Sequence, residues 1–139
     1  MKRHFSGSTS LDGGSIFNSP DGLWFDADSR LWIQTDMSES IVNTRPWEQF
    51  GNNAMLAADP VNNVIRRFLV GPIGQEITGV VTTPDQKTMF VNVQHPGATT
   101  SPEAFAAGQL VSHWPHDGAL YPRSATLVIS REDGGVIGS

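Results

Sequence analysis

A two-strand pattern that occurs twice limits this chain more than any other feature. The first copy runs from Asn18 to Asp36. A polar elbow, Asn18-Ser19-Pro20-Asp21-Gly22, leads into the apolar triplet Leu23-Trp24-Phe25; Asp26 to Arg30 supply turn chemistry, and Leu31-Trp32-Ile33 return. In the second copy Gly79-Val80-Val81 stand for Gly22-Leu23-Trp24, Asp85 for Asp28 and Lys87 for Arg30. Met89-Phe90-Val91-Asn92 then stand for Leu31-Trp32-Ile33-Gln34, with Thr88 inserted. The two glycines are 57 residues apart. Between the copies, Ala54 to Ala58 and Val64 to Val70 read as a second hairpin around Asp59-Pro60-Val61-Asn62-Asn63. Each unit is therefore expected to be a four-stranded antiparallel meander. Four strands per unit at a period of roughly 40–50 residues is the mark of a β-propeller blade, and the long loop from Met37 to Gly51 explains the slight excess here.

The fold expected is all-β, two propeller blades of antiparallel four-stranded sheets. The division is an irregular lead-in over 1–17, a first blade over 18–74 and a second over 75–139 with loop insertions. Ile16 and Phe17 should tuck under the first hairpin, and Trp24, Phe25, Trp32 and Phe90 should form core between the blades. In the second unit, Ser101-Pro102-Glu103-Ala104 through Gly108 carries a cap, a first-turn proline and a closing glycine, which predicts one short helix. Ala125 to Ser130 predicts the next strand. Two blades cannot bury both of their faces, and propellers have about 4–8. Completion must come from sequence beyond this chain or from a homo-oligomer. Three copies supply six blades; pairing of open sheet edges allows a dimer.

Nine Lys and Arg against 14 Asp and Glu give a formal charge of −5, which argues against a basic surface for nucleic acid or anionic membrane. Cations are the natural partners. No cysteine is present, so disulfides and thiolate ligands are excluded from these residues. No apolar stretch reaches membrane-spanning length, and Met1 to Ser10 lack the apolar run of a signal peptide, which leaves the cytoplasm open. Gly71-Pro72-Ile73-Gly74 lacks the Lys-Ser/Thr of a phosphate-binding loop, and no Gly-x-Ser-x-Gly elbow occurs.

The chemistry-bearing candidates sit at the strand starts. Asp21 precedes the inner strand of the first unit and Glu76 that of the second. Glu76 aligns with Ser19, two residues from Asp21, so strand alternation gives both carboxylates the same facing. Carboxylates converging from neighbouring blades suit a hard, oxygen-seeking cation. The competing reading is an Asx turn at Asp21 and a solvated loop charge at Glu76. Asn18 and Asn53 are amide candidates for a second shell or a phosphate contact, or else turn and loop residues. His95, after a strand end, is either an acid–base or metal-site group or a histidine bonded to backbone. Arg45 in the long loop is an anion candidate. His113 and His116 are separated by a proline that denies them a shared helix face, and Asp26 and Asp28 lack the remaining positions of a calcium loop.

Several linked stretches, taken in order, resemble a known family. Phe17-Asn18-Ser19-Pro20-Asp21-Gly22 through Asp36, Gly51-Asn52-Asn53 through Pro60, Val64 to Pro72, Glu76 to Gly97 and Arg123 to Gly138 resemble the C-terminal part of PhoX-type alkaline phosphatases. The resemblance implies a six-bladed propeller, calcium and iron at the channel mouth, phosphate monoesters as substrate, and a periplasmic or extracellular address. It implies that Asp21 and Glu76 are metal ligands, with Asn18, Asn53 and His95 as supporting residues. The chain departs from the family at Gln75, where a cysteine often stands, and at Ala54, where a glutamine often stands. Other ligands of the family lie in earlier blades, so the resemblance also implies an incomplete site within these residues.

Overall fold

The computed structural model describes residues 15–118 and 120–139. The expected lead-in lies outside the described residues as far as Gly14. Among the described residues, seven strands and one short α-helix follow in order, besides a 3-10 turn at Glu48–Phe50 in the long loop: β1 Pro20–Phe25, β2 Leu31–Thr35, β3 Ala54–Asp59, β4 Val64–Val70, β5 Glu76–Thr82, β6 Thr88–Gln94, α1 Pro102–Ala106 and β7 Ala125–Ser130. β1 to β4 form one antiparallel sheet in sequence order, and β5-β6-β7 form a second. The second sheet has three strands, not the four expected. Residues 95–118 and 120–124 carry Pro96, Pro102, Pro115 and Pro122, which cannot donate to a ladder, and form loops and α1 instead. Among the described residues no helix is long and apolar enough to cross a membrane.

The repeat is visible in backbone detail. Ser29 and Gln86, equivalent in the two turns, both adopt positive φ, 63° and 57°. Each turn also closes the same way, with Ser29 N donating to Asp26 O and Gln86 N to Thr83 O. The ladder slips by one residue at the repeat glycines, between Pro20 and Leu23 in β1 and between Thr78 and Val80 in β5. An amide side chain from the partner strand lies over each glycine, Gln34 over Gly22 and Asn92 over Gly79, where a Cβ has no room. The equivalent residues therefore repeat a packing motif as well as a pattern of apolarity.

The sheets meet through Trp32 and Met55 of the first and Ile77, Met89, Val91 and Val93 of the second, all essentially buried. Trp24, Ala57 and Phe68 surround them, with Phe68 edge-on to Trp32 at 4.9 Å between ring centroids. Asp26 fixes this junction. Its buried carboxylate accepts from Asp28 N, Arg30 N, Arg30 Nη1 and Trp32 Nε1, the last two at 2.9 Å. Arg30 also donates to Ile137 O, and Ile137 N donates to Gln86 O, so the C-terminal segment bridges both turns and buries Ile137 in the shared core.

On the far side of the first sheet, Ile33, Leu56 and Ala58 are covered in part by Phe17. The long loop packs Met37, Val42 and Phe50 against Ile16. Phe25 departs from expectation and is 59% exposed, beside Leu23 at 64%. Phe90 is only half-buried and does not join the core between the sheets. Met89 and Val91 turn toward the first sheet, so alternation sends Phe90 to the open face, between Val81 and Val128 in register. The first sheet thus leaves its edge strand β1 apolar and exposed at Leu23 and Phe25, and the second sheet leaves Val81 and Val128 exposed on its outer face.

Candidate metal centre

The elbow before the first apolar triplet is itself strand. β1 begins at Pro20, which puts Asp21 at its second position and exposed. Ser19 has φ of 50°, and its carbonyl accepts Asp36 N at 3.0 Å, which extends the hairpin past the Pro20–Thr35 pair. The residue following β2 is thereby brought back beside the elbow. Glu76 opens β5 directly opposite Gln94, the last residue of β6. His95 then reverses the chain with φ of 39°, its N–H held by Ser124 Oγ at 2.9 Å.

Glu76 is the centre of the group. Its Oε2 accepts from Gln94 Nε2 at 3.1 Å and lies 3.5 Å from His95 Nε2. The other ring nitrogen of His95 is buried without a hydrogen-bond partner, with Glu39 Oε1 the nearest acid at 3.9 Å. Burial pushes the Glu76 carboxyl above the ordinary glutamate range, and the negative charges of Asp36 and Asp21 add to the rise. The hydrogen bond and charge of His95 oppose it. Asp21 and Glu76 are therefore close enough to sense one another. Among the described residues, no three His, Asp or Glu side chains converge tightly enough to enclose an ion by themselves.

The amides and Arg45 stand apart from this group. Asn53 is buried, and its side chain makes four hydrogen bonds: Oδ1 accepts from Thr35 Oγ1 and Met37 N, and Nδ2 donates to Met37 O and Gln75 O. It ties the long loop to the connection between the sheets. Asn18 is buried as well, with Oδ1 accepting Ser19 N and Nδ2 against Met37 Sδ, and so braces the elbow from behind. Arg45 is exposed on the long loop and pairs with Glu48. Gln75, next to Glu76, is buried with Nε2 donating to Asn53 O and Oε1 unpartnered.

Asp36 and Glu39 complete the acidic group, and sequence reasoning missed both. The signal for Asp36 was available: a residue directly after the returning strand of a hairpin must lie beside the entry to the first. The sequence region that builds this end of the molecule also matches a known family model, alkaline phosphatase PhoX, over residues 2–97. The chain belongs to the PhoX alkaline phosphatase family. Among solved structures it is similar to Pseudomonas fluorescens PhoX in complex with vanadate, a transition state analogue, with 49% sequence identity and a TM-score of 0.75. That match covers 89% of this chain and 20% of the Pseudomonas protein, so the chain spans one fifth of the PhoX structure it matches. No protein with a curated description matches it.

Proposed function

We propose that this chain is a part of a β-propeller that supplies metal-ligating carboxylates, Asp21 and Glu76, at the channel mouth of a phosphatase hydrolysing phosphate monoesters. The observation that carries the reading is Glu76 at the start of β5, its carboxylate held by Gln94 and beside His95, with Asp36 and Asp21 near enough for their charges to add to the rise that burial gives its pKa. Oxygen donors of this kind fit calcium, and carboxylate with imidazole fits iron. Asp21 and Glu76 would hold such a cation, which would supply charge neutralisation of the phosphoryl oxygens and activation of the attacking oxygen. His95 orients Glu76 through its Nε2, while Gln94 holds the same oxygen from the opposite strand. Asn18 and Asn53 support the elbow and the long loop from behind, and Arg45 is left as an anion contact from outside the group. A periplasmic or extracellular address goes with the family.

The open faces favour a second reading, in which the chain acts without catalysis as a propeller piece that assembles with copies of itself, as a trimer of six blades or a dimer. Leu23 and Phe25 on one sheet and Val81 and Val128 on the other are exposed, as faces between blades are before they are joined. Solution mass separates the readings, followed by calcium titration calorimetry and hydrolysis of a generic phosphomonoester with Asp21→Ala and Glu76→Ala. Loss of calcium affinity in both variants supports the metal role. Unchanged affinity and unchanged hydrolysis in both remove Asp21 and Glu76 as ligands.

A further inference from the structure

A cleft of about 500 Å³, with His95 in its wall, opens in the segment joining β6 to β7. Its walls are His95, Pro96, Pro102, Phe105, Leu110 and Pro122, with small residues between, and no Asp, Glu, Lys or Arg lines it. The walls are fixed by local bonding. Ser101 Oγ accepts Ala104 N to start α1, and Gln109 N donates to Ala104 O to end it, which presents Phe105 outward. Val111 N donates to Thr100 Oγ1 and ties down the far side. Gly97, at φ of 81°, lets Pro122 approach so closely that a Cβ would stand 3.1 Å from its Cγ. Phe105 is 51% exposed and stacks against Tyr121, with ring centroids 5.3 Å apart.

We propose that this cleft takes the organic part of the substrate, and that it selects phosphate esters of aryl or other flat apolar alcohols. The inference rests on the phosphatase reading of the Glu76 group and names its substrate class. His95 is shared: Nε2 faces the Glu76 carboxylate while the residue forms the near wall of the cleft. A phosphate ester bound with its phosphoryl group beside Glu76 and its ester oxygen toward His95 would place its organic part at a neutral space lined by proline and aromatic rings. Such a lining gains by removing apolar surface from water and offers little to a polyol or a second anion. The positive φ of His95 is a backbone strain at the junction of the two halves, held by Ser124 on one side and by the bond from Ala98 N to His95 O on the other.

The test is amide chemical-shift titration of the isotopically labelled chain in calcium, with inorganic phosphate, glycerol 2-phosphate and phenyl phosphate as separate probes, and phenol alone without calcium. Phenyl phosphate is expected to shift the amides of Phe105, Leu110 and Tyr121 together with those of Glu76 and His95, and to bind roughly tenfold more tightly than glycerol 2-phosphate. Phe105→Ala should abolish that preference and Phe105→Tyr retain it. Phenol should shift the cleft amides alone. Equal affinity for the two esters with silent cleft amides overturns the proposal while leaving the phosphatase reading in place. Esters that leave Glu76 and His95 silent overturn the phosphatase reading, and with it the claim that the cleft serves a substrate, even where phenol binds. A rise in solution mass that Phe105→Ala reverses also overturns it, because a second copy is then the occupant.

Discussion

Glu76 and His95 come from opposite ends of one hairpin and meet at 3.5 Å, Oε2 to Nε2, in the presence of two further acids that both raise the glutamate's pKa. A carboxyl raised in the folded state favours folding when protonated. The folded chain then binds more protons than the unfolded chain between the ordinary value of 4.5 and the raised one. Stability associated with Glu76 is therefore gained as pH falls through the raised pKa and is absent above it. Glu76→Gln should stabilise the metal-free chain at pH 7, with the difference shrinking as the pH falls below the ordinary glutamate value. Urea denaturation at both pH values checks it. Calcium should reverse the order, because only the carboxylate of the parent chain gains from the cation.

Asp26 reads in the sequence as one of two turn aspartates, and the structure makes it the hub of the junction between the sheets. Its carboxylate satisfies two backbone N–H groups, the Arg30 guanidinium and the Trp32 indole, with the side chain 2% exposed. Asp26→Ala leaves Arg30 without its acid and Trp32 Nε1 without an acceptor inside the core. A loss of about 3–5 kcal/mol is expected, measured as the shift in urea midpoint at constant slope. Asp28→Ala, which removes only an exposed bond to Gln86 Nε2, should cost less than about 1 kcal/mol.

The repeat was legible because its elements are local. Gly22 with Gln34 and Gly79 with Asn92 reproduce one packing motif, and the turn residues Ser29 and Gln86 reproduce one backbone state. Alternation also separated the two faces of each strand. What alternation does not say is which face finds a covering layer, so Phe25, expected in the core, is exposed, and Phe90, expected there too, is half-buried on the outer face beside Val81 and Val128. The candidate acids Asp21 and Glu76 were found from strand starts, but Asp36 depends on a single bond to the Ser19 carbonyl and Glu39 on the path of a long loop. The same distance-blind reading gave Asn53 and Arg45 similar standing, although one is bonded four times within the protein and the other is exposed beside Glu48.

Asn53 separates a structural role from a ligand role. All of its polar capacity is spent on Thr35, Met37 and Gln75, so Asn53→Ala leaves several buried groups unpaired at once. The variant should lose about 2–4 kcal/mol of folding stability, with Asn53→Asp intermediate because only the donor half is lost. Calcium affinity, measured by calorimetry well below the melting transition, should fall by less than about threefold. A large loss of affinity without a loss of stability would identify the amide as a ligand instead.

The outer face of the second sheet carries an apolar stripe. Val81, Phe90 and Val128 sit across three strands in direct register, with Val81 57% and Val128 66% exposed. Their repeat equivalents in the first sheet, Trp24 for Val81 and Trp32 for Phe90, face the neighbouring sheet and are covered. The stripe is therefore the position at which a further sheet would pack, and apolar stripes of this kind drive association when left bare. A single charge there removes the drive without touching the core of the chain. The parent chain is expected to associate at high concentration, and Val128→Lys to bring the solution mass, read by light scattering, down to that of a monomer. The thermal midpoint of the dilute chain should stay within about 2 °C, since Val128 buries little in the isolated chain. The same substitution at Ile129, whose side chain turns inward to the shared core, should instead lower the midpoint and leave the association surface intact.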